Sequence, residues 1–148
     1  MPANPHGYWL AALIILGSLC TNAFSQIPVV KIQGAVTYLS GGIGDDEEIQ
    51  IRREAKDYGV LLEFAEVERD TLHGRWTSDV SVTVKSAANA VLSTTTDGSL
   101  MLVKLKPGSY VIDAERQGVK QTERIEVNAN AVARERFFWI VDAALTPR

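Results

Sequence analysis

The side chains that could do chemistry are few and scattered. The chain of 148 residues carries two histidines, His6 and His73, and one cysteine, Cys20. Zinc and copper sites draw on several convergent His, Cys or carboxylate ligands. His6 and Cys20 fall at the N-terminal apolar run, which leaves His73 as the one imidazole of the remaining chain. Nucleophilic catalysis would need a Ser or Thr beside that histidine, and no G-x-S-x-G elbow is present. His73 lies in a polar stretch and reads as a solvated loop residue. Acids are plentiful, but no two of them are singled out as a pair for glycoside hydrolysis. Gly41-Gly42-Ile43-Gly44 invites comparison with a phosphate loop. It lacks the Lys-Ser/Thr ending, and the four acids that follow would repel an anion. Those acids, Asp45-Asp46-Glu47-Glu48, read as the first turn of a helix: Asp45 with Glu48 three residues on fits a capping box, and negative charge there complements the helix dipole. A calcium loop needs oxygen ligands at alternating positions, which consecutive acids do not give. No catalytic residue, metal or cofactor is expected.

Aromatic residues offer a second kind of site. Trp76, beside Arg75 in polar surroundings, could stack on a ligand such as a sugar or close one end of a β-sandwich. Phe137-Phe138-Trp139-Ile140-Val141 places large apolar groups on both faces of one strand. Such a strand is either central between a sandwich and a helix or partly exposed for a partner. Trp76, Phe137 and Trp139 are the candidate contacts for a partner or ligand.

These residues must be positioned by a fold, and the dominant signal is alternation. A helix is expected over residues 45–58, with Ile51, Ala55 and Tyr58 on one face, a Glu48/Arg52 pair, and Gly59 as left-handed stop. The period then changes from 3.6 to 2. Residues 60–65 read as a strand, followed by a polar turn through Asp70, His73 and Gly74. Val80, Val82 and Val84 alternate with Asp79, Ser81 and Thr83, the mark of a half-buried antiparallel strand. Asn89 marks a turn into residues 90–96, and Asp97-Gly98 reads as a hairpin-type turn before Leu100 and Leu102. Pro107-Gly108 turns the chain again into Tyr110, Ile112 and Ala114, and Gln117-Gly118 makes the hairpin into residues 119–127. A last strand falls within residues 132–141. About seven short antiparallel strands at this spacing predict an Ig-like or transthyretin-like sandwich.

Before this domain the chain carries an address. Residues 8–20 (YWLAALIILGSLC) have the length of an export-signal hydrophobic region and fall short of the roughly 20 apolar residues of a membrane span. Small residues at Ala23 and Ser25 favour cleavage before Gln26, with the bond after Ala23 as the alternative. The flank before the apolar run has no Lys or Arg, and an uncleaved anchor is the competing reading. The expected organisation is signal peptide 1–25, an N-terminal strand or linker with the helix over 26–59, and the sandwich over 60–148, in a periplasmic or secreted protein. With 46% hydrophobic and 22% charged residues the chain has globular usage and can build a core. A net charge of -3, with bases interleaved among acids, argues against nucleic acid as a partner.

Thr96-Asp97-Gly98, the alternating apolar strand after it, Leu105, Pro107-Gly108 and Tyr110 together resemble the signature of carboxypeptidase regulatory-like domains, transthyretin-like sandwiches also similar to collagen-adhesin B-type repeats. The resemblance spans roughly residues 80–127, and Lys106 replaces the usual second proline of the turn. It implies a module that braces, spaces or binds a protein partner and has no catalytic groups of its own, with small-ligand recognition as the alternative. It also implies that Tyr110 packs in the core with Leu100, Leu102 and Leu105. Intact-mass measurement of the chain recovered from the cell envelope should place the new N-terminus at Gln26; a mass retaining residues 1–25 would show an uncleaved anchor instead.

Overall fold

The computed structural model describes residues 28–142. The expected export segment, the expected cleavage site and Cys20 lie outside the described residues, as do residues 143–148. Among the described residues the chain forms strands β1 (Lys31–Gln33) and β2 (Val36–Gly41), helix α1 (Asp45–Tyr58), then β3 (Gly59–Glu68), β4 (Gly74–Trp76), β5 (Ser81–Ser86), β6 (Asn89–Thr95), β7 (Leu100–Lys104), β8 (Gly108–Arg116), β9 (Val119–Val127) and β10 (Ala133–Val141).

The valines of β5 set the pattern for the rest. Val80, Val82 and Val84 are buried against Ile112 and Ala114 of β8, while Ser81 and Thr83 face outward. The strands sort into two sheets, β1-β2-β7-β3-β10 with β4 alongside the second half of β3, and β6-β5-β8-β9. Their inner faces enclose one core, in which the rings of Phe64 and Phe137 stack with centroids 5.8 Å apart. The protein is thus a mainly β sandwich, as its alternation predicts. Short strands β1 and β4 and the N-terminal strand β2 bring the number to ten. The pairings are antiparallel except one: β10 runs parallel to β3 along its whole length, Ala133 opposite Val60 through Val141 opposite Glu68. Parallel neighbours need a long crossover connection, and here that connection includes the entire second sheet.

Helix α1 packs on the outer face of the first sheet, over β7, β3 and β2. Ile51 and Ala55 are buried against Leu39, Leu61, Leu100 and Leu102, with Tyr58 at the margin. Consequently β3 and β7 have no wet face. In β7, Met101 and Val103 point into the sandwich while Leu100 and Leu102 point to the helix. This corrects the grouping of Leu100 and Leu102 with Tyr110: Tyr110 is only partly buried, packs against the other core, and donates its hydroxyl hydrogen bond to the Lys106 carbonyl at 2.8 Å.

The helix ends as expected and begins differently. Gly59 takes the left-handed conformation (φ 91) and its N–H reaches the Ala55 carbonyl. At the other end Gly44, not Asp45, is the N-cap, and its lack of a side chain rules out a reciprocal box. Glu47 rather than Glu48 reaches back, accepting from the Ile43 N–H at 2.8 Å, because Glu48 is held by Arg52 at 2.9 Å.

Asp97-Gly98 is likewise not a hairpin. It carries the chain from β6 in one sheet to β7 in the other. Asp97 is fixed by Lys31 (2.5 Å) and Ser40 (3.1 Å), and Ser40 Oγ in turn accepts from the Asp97 N–H. Gly98 is required by proximity: a Cβ at this position would overlap the backbone carbonyl of Gly41. Gln117-Gly118 is a true hairpin turn, both residues having positive φ (50 and 78), the type I′ requirement. Substituting Gly98→Ala should lower unfolding free energy by about 3 kcal/mol, because backbone must separate at the sheet crossing. Urea unfolding with an unchanged midpoint would show that the crossing relaxes freely.

Candidate functional site

Parity decides which aromatic side chains a partner could reach. On β10, Ala133, Phe137 and Trp139 turn inward and Arg134, Arg136, Phe138 and Ile140 turn outward. Phe137 is 0% exposed and Trp139 4%, and the indole N–H of Trp139 donates to the Val119 carbonyl at 2.9 Å. This corrects two of the three candidate contacts: Phe137 and Trp139 stack with Phe64 in the core and are not available to a partner. Trp76 remains at the surface, 45% exposed. The exposed apolar members of the aromatic strand are Phe138 at 45% and Ile140 at 64%, which sequence reasoning did not single out. A signal for them existed. Arg134 and Arg136 mark the wet parity of the strand, and Phe138 and Ile140 continue it.

Register builds a surface from these residues. Trp76 lies opposite Ala65 on β3, and Phe138 lies beside Ala65 on the other side, so a small residue separates two exposed rings across three adjacent strands. The Arg136 guanidinium sits 5.8 Å from both ring centroids, and Arg52 of α1 lies 5.9 Å from the Trp76 ring. The result is an alternating ladder, Arg52, Trp76, Arg136, Phe138, in which each cation faces a π-system. Beneath it is Glu63, 5% exposed. Glu63 Oε2 accepts from Arg136 Nε (3.0 Å) and Nη2 (2.9 Å), while Arg52 Nη2 stands 2.6 Å from Oε1 without hydrogen-bond alignment. Burial pushes the Glu63 carboxyl up, but the Arg52 and Arg136 guanidiniums together pull it further down, and it lies below its ordinary value.

A second buried carboxylate, Glu66, has the opposite parity and faces the interior at the sandwich end. It pairs with Arg75 at 2.7 Å and with Arg116 of the second sheet, whose Nε donates to the Ser78 carbonyl at 3.3 Å. This pair links the two sheets. Glu63 and Glu66 are therefore spent on structural arginines, and a third buried acid, Asp113, is held by Lys85 at 2.5 Å and accepts from Thr122 Oγ1 at 2.6 Å. His73 is exposed in the β3–β4 turn, its N–H donating to Thr71 Oγ1 at 3.2 Å. Among the described residues no group of three or more His, Cys, Asp or Glu converges as a cation ligand set.

Next to the ladder, the two sheets meet at an open seam. β9 and β10 are the edge strands on this side and no backbone ladder joins them. Two side-chain bonds bridge the gap, Trp139 Nε1 to the Val119 carbonyl and the Gln121 amide to the Phe138 carbonyl. Between them lies a groove of about 350 Å³ lined by Arg116, Gln117, Val119, Gln121 and residues 138–141. Val119 (56% exposed) extends the apolar surface across its mouth. Trp76 does not line this groove.

No protein-family model matches the chain, and no curated protein matches it.

The paired state of Glu63 has a measurable consequence. Its folded pKa is depressed, so its contribution to stability is fully present above the ordinary value of 4.5 and is lost as pH falls through the lower folded value. Glu63→Gln, which strands two arginines, should cost about 3 kcal/mol near neutral pH and flatten the acid limb of the stability curve. Urea melts from about pH 7 to about pH 3 that lose stability in parallel for both proteins would show Glu63 to be uncoupled.

Proposed function

We propose that this chain is an exported, non-catalytic β-sandwich module that binds or braces a protein partner in the cell envelope. The observation that carries the reading is the outer edge of β10. There Phe138 and Ile140 stand exposed on a strand whose free side, among the described residues, pairs with no further strand and is met by side chains alone. Extended partners recognise such an edge through main-chain hydrogen bonds, with alternate side chains giving specificity. Exposed aromatic and arginine side chains are the types that carry most of the energy at protein interfaces. The export address at residues 8–20 supports the compartment, and the turn grammar shared with carboxypeptidase regulatory-like domains supports a bracing or binding role. The buried acids support the absence of catalysis, since Glu63 and Glu66 are each held by two arginines.

Small-ligand recognition at Trp76 is less well supported. The ring is exposed, but Arg52 and Arg136 both lie against it, and it stands away from the groove. A glycan stacking on it would have to displace one of them.

Cross-linking in the intact envelope tests the partner reading. Full-length chain and a Phe138→Asp variant should fold alike, within about 0.5 kcal/mol, because the side chain is solvated. The wild type should cross-link to a discrete protein, the variant should lose it, and a His73→Ala control should retain it. Cross-linking that survives Phe138→Asp and Ile140→Asp would place the contact elsewhere, and loss only on Trp76→Ala together with glycan binding would favour the small-ligand reading.

A further inference from the structure

The free edge of β10 carries a pattern that fits one particular occupant, and identifying it rests on the binding-module reading just given. We propose that the partner at this edge is a second copy of the same chain, the two β10 strands pairing antiparallel about a two-fold axis at Phe138.

The phase of the backbone comes first. The Val141 carbonyl accepts from the Arg69 N–H at 2.9 Å, on the β3 side, whereas the Phe138 carbonyl receives Gln121 from the opposite side. Along a strand the N–H and C=O of one residue point the same way and neighbours point oppositely. Residues 134, 136, 138 and 140 therefore direct both backbone groups to the free edge. An antiparallel partner centred on Phe138 meets this requirement: Phe138 exchanges both hydrogen bonds with the partner's Phe138, and Arg136 with the partner's Ile140. The Gln121 amide at the Phe138 carbonyl and the Glu135 carboxylate at the Arg136 N–H occupy the places of a neighbouring strand's groups, and both would be released.

Side-chain chemistry then selects the same register. All these residues share the outer face, so the pairing stacks Phe138 on the partner's Phe138. It also sets Arg134 opposite the partner's Asp142, twice per two-fold. Asp142 is 84% exposed at its side chain and is engaged by Arg69 alone, at 3.0 Å. Shifting the partner by two residues in one direction puts Arg136 against the partner's Phe138 and leaves Asp142 opposite Val132. The opposite shift puts Phe138 against the partner's Ile140 and Asp142 against Arg136, whose guanidinium Glu63 already holds. Directly opposed like charges destabilise a strand pair and opposed unlike charges support it. The register centred on Phe138 is the one that sets Asp142 opposite the exposed Arg134 rather than opposite Val132 or the Glu63-bound Arg136.

The length of the edge supports closure by a copy. β10 runs nine residues (ARERFFWIV) without proline, and an exposed edge of this length templates strand addition unless something covers it. An isologous pair covers both edges at once and leaves no free β10 for further growth.

The test is sedimentation equilibrium, under reducing conditions, on protein expressed from the complete sequence and purified in the form the cell leaves it. Wild type should sediment as two chains and Phe138→Asp as one. Arg134→Asp should weaken association about tenfold, and adding Asp142→Arg should restore it, because the swap recreates the opposed charges in the proposed register alone. Circular dichroism melts on each variant separate loss of pairing from loss of fold, and both charge positions are exposed. A single-chain mass for wild type at all concentrations overturns the inference, as does a two-chain species indifferent to Phe138→Asp or a charge reversal that the second substitution fails to rescue. If wild type is monomeric yet still cross-links to a different protein through Phe138, self-pairing falls and the binding-module reading stands. If neither occurs, both fall.

Discussion

Strand β3 has water on neither face, and the rest of the molecule is arranged around that constraint. Val60, Leu62 and Phe64 project into the sandwich, Leu61 projects to the helix, and two acids, Glu63 and Glu66, project one to each side. A carboxylate cannot be taken from water without compensation of several kcal/mol. Each acid therefore recruits arginines from separate parts of the chain. Glu63 takes Arg52 from α1 and Arg136 from β10, and Glu66 takes Arg75 from β4 and Arg116 from β8. Because these partners come from the helix, the edge strands and the opposite sheet, the two acids index how those elements sit on β3. Buried ion pairs are weak sources of net stability but can specify arrangement. Here they set which way β10 faces. With Arg136 bound to Glu63 on the outer side, Phe137 and Trp139 fall inward and Phe138 and Ile140 outward.

Much of this was legible in the residues because it depends on local period. The alternation of Val80, Val82 and Val84, the spacing of Ile51, Ala55 and Tyr58, the left-handed stop at Gly59 and the type I′ turn at Gln117-Gly118 each follow from the geometry of a single element, and each is present. The misses share a different cause. Asp97-Gly98 specifies a sharp reversal but not which sheet receives the next strand, and that is decided by Asp97 reaching Lys31 and Ser40, some sixty residues earlier in the chain. In β7, Leu100-Met101-Leu102-Val103 has no alternation to read, since both faces are dry, and its assignment to one core was bound to fail. The aromatic run of β10 is ambiguous for the same reason until the flanking arginines are used to set its phase.

The candidate surface was half visible. Trp76 could be recognised by its polar surroundings, but its neighbours could not, because the row of Trp76, Ala65 and Phe138 exists only after β4 and β10 pair on either side of β3. No two of the three are close in sequence. Nor does local pattern reveal the cation ladder, which requires Arg52 to arrive from a helix on the far side of the sheet crossing. What the ladder does physically is prepare the site: guanidinium planes held against rings by a buried carboxylate have little rotamer freedom left to lose when a partner docks.

The two seams of the sandwich differ in how their edge strands are closed. At the β1/β6 seam, Gln33 bonds both backbone groups of Ser93, accepting from its N–H at 2.6 Å and donating to its carbonyl at 3.2 Å. That amide imitates a paired strand residue and closes the β6 edge at the point where it is open. Lys31 adds an ion pair to Asp97 beside it. At the β9/β10 seam, Gln121 satisfies only the Phe138 carbonyl, and Trp139 satisfies only that of Val119, each with a single donor. On the free side of β10 the Arg136 N–H donates to the Glu135 carboxylate at 3.3 Å, and the exposed Phe138 and Ile140 stand on the same strand. Edge strands that are not to be used are blunted with charge or covered. One seam of this protein is closed by a side chain that imitates a paired strand residue and by an ion pair, whereas the other is bridged by two single-donor side-chain bonds.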